Sequence, residues 1–172
     1  MARKFFTALI LLIVSVVGAS AQSAAGRYAS RMTPDGTLFF VMPHKLGDTH
    51  GIKHFEYDMT LLSWTDSVTI NFTFQASEME RPADLELCSG DSVYRCDRYS
   101  PLFTDIKKNG YEIRITSAFS AAAIKAVISS KEPPVFRFRQ NGKAESAGYK
   151  PGAWLKDRKK LQDIFRLYEY AK

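Results

Sequence analysis

The alternation of apolar and polar positions is strictest over residues 54–76. Val68, Ile70, Phe72 and Phe74 alternate with Thr69, Asn71, Thr73 and Gln75, the period of a strand with one buried face. Folding residues 55–64 back across Thr65-Asp66 sets Leu61 opposite Ile70, Met59 opposite Phe72, Tyr57 opposite Phe74 and Phe55 opposite Ala76. A one-residue slip would carry the apolar set of one strand onto the polar face of the other, so both strands agree on which face is core. A lone hairpin is marginal in water, and its apolar face requires cover from the rest of the chain.

The same rhythm recurs. Residues 37–42 form a short apolar run, read as a strand buried on both faces, and 43–53 read as a polar loop. Residues 84–88 and 92–97 predict a second hairpin. Residues 102–107 and 111–117 predict a third across Asn109-Gly110, and 135–140 with 143–149 a fourth across Asn141-Gly142, both strong turn signals. Between the last two, residues 117–130 turn alanine-rich, with Ser120 placed to cap and Pro133-Pro134 to stop a helix. Residues 153–170 are amphipathic: Trp154, Leu161, Phe165 and Tyr168 fall within roughly 60° of arc, with Ile164 alongside, while Lys156, Lys159, Lys160, Asp163 and Arg166 lie opposite. The pattern predicts a mainly β, α+β fold. Its antiparallel hairpins form a twisted sheet or a partly closed barrel, with one intervening helix and a C-terminal helix packed on one face.

Residues 1–21 have the form of a cleavable signal peptide. Arg3 and Lys4 precede an apolar stretch over 5–17, and Ala19-Ser20-Ala21 supplies the small-residue cleavage pattern. The first cysteine is Cys88, far from that site, which argues against a lipoprotein. The expected address is periplasmic or secreted. Residues 22–36 read as a flexible lead-in with a turn at Pro34-Asp35-Gly36, and 37–172 as a single β-rich domain.

Charge changes this picture little. The formal net charge is +6, and residues 150–172 hold seven basic and three acidic residues. A solvated helix face accounts for that run, with weak contact to an anionic membrane surface as the alternative. Arg137 and Arg139 alternate with Phe136 and Phe138. The export signal argues against nucleic acid as their partner, and a strand with a buried aromatic face explains them.

Two groups of residues could carry chemistry. His44, His50 and His54 share one window with Asp48, Glu56 and Asp58. Imidazole and carboxylate ligands suit zinc or another divalent ion, although the spacing matches no recognised metal site and exposed loop histidines are the ordinary explanation. Cys88 and Cys96 are the only cysteines, and in an oxidising compartment a disulfide between them is expected. A tight hairpin around Gly90-Asp91 would set Cys88 against Val93 and Cys96 against Leu85, so a bridge requires a wider loop or a bulge. No Gly-x-Ser-x-Gly element or phosphate-cradling glycine loop occurs. The acidic pairs Glu78/Glu80 and Asp84/Glu86 are of a kind common on turns and strand faces. The expected function is a non-catalytic envelope module that binds an unknown protein or small ligand and needs no cofactor. The alternative is a metal-dependent protein, such as a hydrolase, built on the histidine loop.

Overall fold

A computed structural model describes residues 26–47, 52–79, 83–140, 142–150 and 152–172. The expected export signal and His50 lie outside these residues. The strands run β1 (Tyr28–Thr33), β2 (Gly36–Lys45), β3 (Ile52–Leu62), β4 (Ser67–Ala76), β5 (Ala83–Ser89), β6 (Ser92–Arg95), β7 (Arg98–Lys107) and β8 (Gly110–Ser120). Helix α1 (Ala121–Ser129), β9 (Val135–Gln140), β10 (Lys143–Gly148) and α2 (Ala153–Tyr170) follow. The strands form two antiparallel sheets, one of order β1-β2-β3-β4-β8-β7 and one of order β10-β9-β5-β6. Neither closes on itself, so the architecture is the open twisted sheet and not a partly closed barrel.

The central hairpin of the larger sheet is β3 and β4, and its face assignment holds. Phe55, Tyr57, Met59, Leu61, Val68, Ile70, Phe72 and Phe74 are all buried. Its register differs from expectation by two residues: Tyr57 pairs with Phe72, Met59 with Ile70 and Leu61 with Val68. The connection is longer than the two residues expected. The Thr65 N–H donates to the Leu62 carbonyl at 3.0 Å, and the Thr65 hydroxyl donates to the Ser67 carbonyl at 3.1 Å. A two-residue slip preserves both faces, so alternation alone cannot detect it.

The expected cover for this face was α2. It covers only part, and the smaller sheet covers the rest. Phe136 meets Phe72 edge-on at 4.8 Å between centroids, and Phe138 stacks on Phe55 at 6.1 Å. At the other end Ile124 and Ile128 of α1 and Leu161, Ile164 and Phe165 of α2 close over Val41, Met59 and Leu61. Ser120 caps α1 as predicted, accepting the Ala123 N–H at 3.1 Å. The free carbonyls at the end of α1 are taken up by α2: Gln162 and Arg158 both donate to Ile128 O, at 2.8 and 3.2 Å.

Three further expectations are corrected. Part of the lead-in, Tyr28–Thr33, is an edge strand paired with β2 through a turn at Pro34-Asp35. Both its faces are largely exposed, which leaves no alternation to read. β2 extends through Pro43, His44 and Lys45, past a bulge, where a loop was expected. It is buried on one face and half-buried on the other, not buried on both. On the polar face of the central hairpin, Asp58 is buried. Asn71 donates to it at 2.7 Å, and Arg114 donates to it at 2.5 Å and to Thr73 at 2.6 Å. These charge-assisted bonds offset the cost of burying the carboxylate.

Candidate functional site

Of the predicted metal-site histidines, His44 and His54 lie among the described residues and His50 does not. His44 lies on β2 and turns toward the interior, its ring 5.1 Å from that of Tyr149. His54 lies at a bulge in β3, exposed, with φ of 54°. Among the described residues no three His, Cys, Asp or Glu side chains are grouped to hold a metal ion.

Cys88 and Cys96 are free thiols, which corrects the expected disulfide. The hairpin between β5 and β6 is tight: Cys88 pairs with Val93, and the Cys96 N–H donates to the Leu85 carbonyl at 3.3 Å. Each thiol therefore faces a residue other than its partner. No bulge between Glu86 and Ser92 supplies the extra residue that would bring the two together.

The structure instead assembles a polar cluster that the sequence did not announce. Asp157 of α2 is buried, and so is Arg27, just ahead of β1. Arg27 donates through Nε to Asp157 Oδ1 at 2.9 Å and through Nη2 to Oδ2 at 3.2 Å. It also donates to the Met42 carbonyl. Tyr149 and Tyr57 donate their hydroxyls to Oδ2 at 2.6 and 3.1 Å and touch each other. His44 Nδ1 stands 3.9 Å from Oδ1.

Burial pushes the Asp157 carboxyl up, but the hydrogen bonds and charge of Arg27 outweigh it and hold the carboxyl below the usual range. Burial first, and then the negative charge of Asp157, push both tyrosine hydroxyls above the ordinary phenol range, with Arg27 opposing at Tyr57. They therefore remain donors at neutral pH. Burial lowers the His44 pKa, Asp157 opposes that, and Arg27 and Lys160 add to it. Both carboxylate oxygens are occupied by internal donors. A network of this kind holds α2 to the first strands.

The open concave surface lies elsewhere. A groove of about 640 Å³ runs along the smaller sheet, lined by Arg95, Arg137, Arg139, Glu86, Asp84 and Tyr99 over Leu85 and Phe138. Cross-strand register creates it: Glu86 pairs with Arg95 on one side and with Arg137 on the other. Arg95 Nε and Arg137 Nη2 donate to the two oxygens of Glu86 at 3.2 and 3.1 Å. Arg139 lies 3.7 Å from Asp84. A bulge in β5 places Asp84 in the left-handed region, φ 52°, an uncommon conformation for a residue with a side chain.

The Arg95 side chain is 84% exposed and that of Arg137 49%. Exposed pairs of this kind contribute at most about 1 kcal/mol each. Tyr99 also lines a second open groove of about 500 Å³ with Arg98, Ser100, Thr69 and Thr116.

No protein-family model, curated protein or solved structure matches this chain.

Sequence reading missed Arg27 and Asp157 for different reasons. Asp157 follows Trp154 by three positions and precedes Leu161 by four, on the apolar stripe of α2. An acidic residue there signals a buried charge in need of a partner. The partner is 130 positions away, in a stretch without periodicity.

Proposed function

We propose that this protein is an exported, non-catalytic binding module that engages its partner on its surface. The observation that carries this reading is where open space lies among the described residues. Within the apolar interior, the voids beneath α1 and α2 are about 10 and 20 Å³, too small for an organic ligand. Two open grooves, each lined in part by Tyr99, lie at the surface. The buried charged groups described above, Asp157 with Arg27 and Asp58 with Arg114, are paired with each other. Export rests on the sequence of residues 1–21.

The test is titration of the folded protein with an apolar fluorescent probe such as N-phenyl-1-naphthylamine. Non-saturable, weak fluorescence is expected. Saturable one-to-one binding at micromolar concentration would overturn the surface reading in favour of an internal cavity. Expression of the full chain in a Gram-negative host tests export separately. The expected product is extracytoplasmic and begins at Gln22. Cytoplasmic retention with Met1 intact would remove export from the proposal.

A further inference from the structure

We infer that the groove bounded by Arg95, Arg137, Arg139 and Tyr99 binds an acidic oligosaccharide of the uronate type. This rests on the surface-binding reading and assigns that surface its ligand class.

Three properties of the groove carry the inference. Its charge is mixed. Three guanidiniums line it together with two carboxylates, Glu86 and Asp84. A densely charged polyanion would meet repulsion from both acids. A uronate oligomer carries one carboxylate per sugar among several hydroxyls. Its carboxylates suit guanidinium forks, and its hydroxyls can donate to Glu86 and Asp84 while accepting from the arginines.

The groove is also organised before any ligand arrives. Glu86 accepts from Arg95 and Arg137 on either side, so it holds two guanidiniums in place across three strands. Each of those bonds uses one N–H of a group that carries five donors. Preorganisation of this kind reduces the ordering cost of binding.

Its shape suits an extended ligand. The groove is open, and Tyr99 lines it together with the three arginines. The half-buried ring offers an apolar surface for the C–H face of a pyranose. Tyr99 also lines a second open groove that holds the hydroxyls of Ser100, Thr69 and Thr116 and one further guanidinium, Arg98.

The test is isothermal titration of the full-length mature chain with oligogalacturonate. A neutral oligogalactan, polyaspartate and inorganic phosphate are titrated in parallel. Saturable binding of oligogalacturonate is expected, weakening as salt rises. Arg137→Gln and Arg139→Gln should each weaken it at least about tenfold without shifting the melting temperature. Lys156→Gln, on the exposed side of α2, should leave it unchanged.

The inference is overturned by equal binding of the neutral oligomer, by tighter binding of polyaspartate or phosphate, by no saturable binding of oligogalacturonate, or by arginine variants that bind as well as the parent. Preference for polyaspartate that is lost in the arginine variants would overturn the sugar class alone. The surface reading would then stand, because its own test is the apolar probe.

Discussion

Replacing Asp157 by Asn preserves shape and removes charge. It should destabilise the fold by about 3–5 kcal/mol, the range found when one partner of a buried ion pair is removed. The structure shows why the upper class of effect applies. Arg27 is 7% exposed and Asp157 5%. The guanidinium would remain charged in a site that water barely reaches, opposite an amide whose Nδ2 is itself a donor. Tyr149 and Tyr57 would lose the oxygen to which they donate at 2.6 and 3.1 Å. For a chain of this size the cost corresponds to a fall in Tm of roughly 6–20 °C.

Urea melts followed by circular dichroism at neutral pH provide the measurement, on Asp157→Asn, Arg27→Met, Asp157→Leu and the Arg27→Met/Asp157→Leu double variant. The double variant removes the unpaired charge together with its desolvation cost. It should therefore be more stable than the sum of its singles predicts by about 1–3 kcal/mol. The effect also has a pH signature. Because Arg27 holds the Asp157 carboxyl below its unfolded value, its contribution is present above that unfolded value and is lost as pH falls through the folded one. The difference between wild type and Asp157→Asn should narrow in that acidic window. A change below about 1 kcal/mol for Asp157→Asn, or additive singles, would refute the reasoning.

Other consequences are equally direct. Gly110 opens β8, just after its turn from β7, at φ 128°, where an added Cβ would overlap the Ala76 carbonyl. Gly110→Ala should therefore cost more than about 1 kcal/mol in the same urea melts, and a neutral result would refute that close approach. Because Cys88 and Cys96 are free and mispaired in register, a reducing agent should leave the Tm of the monomer unchanged; a large drop would reveal a bridge. His44 should titrate below the ordinary histidine value by NMR, since burial lowers its pKa and outweighs Asp157. Its folded form then binds fewer protons than the unfolded chain, so its share of stability declines as pH falls below the unfolded value of about 6.5. A His44 pKa above that value would contradict this burial.

Much of the local structure was legible in the sequence because it is written in nearest neighbours. The stripe of Trp154, Leu161, Phe165 and Tyr168 became the buried side of a helix spanning Ala153–Tyr170, as the 3.6-residue period required. Ser120 became an N-cap. The Asn109-Gly110 turn joined the strands it was expected to join. The candidate sites were far less legible. His44, His50 and His54 were grouped by proximity along the chain, whereas His44 faces Asp157 and Tyr149 across the fold. The arginine groove was hidden for a related reason. Arg137 and Arg139 were visible as an alternating strand, and Glu86 and Arg95 as an earlier hairpin, but only the pairing of β5 with β9 brings the two together.

The sequence by itself determined which face of each strand and helix is apolar, because side-chain direction follows from the backbone period alone. It could not determine the two-residue register of the central hairpin, since a shift by one full period leaves every face unchanged. Nor could it determine that β8 pairs with β4, that β5 pairs with β9, or that Arg27 meets Asp157. Those contacts join distant segments and carry no local signature. Only the closing of the sheets and the docking of α2 decided which polar groups would be buried together and which would line an open groove.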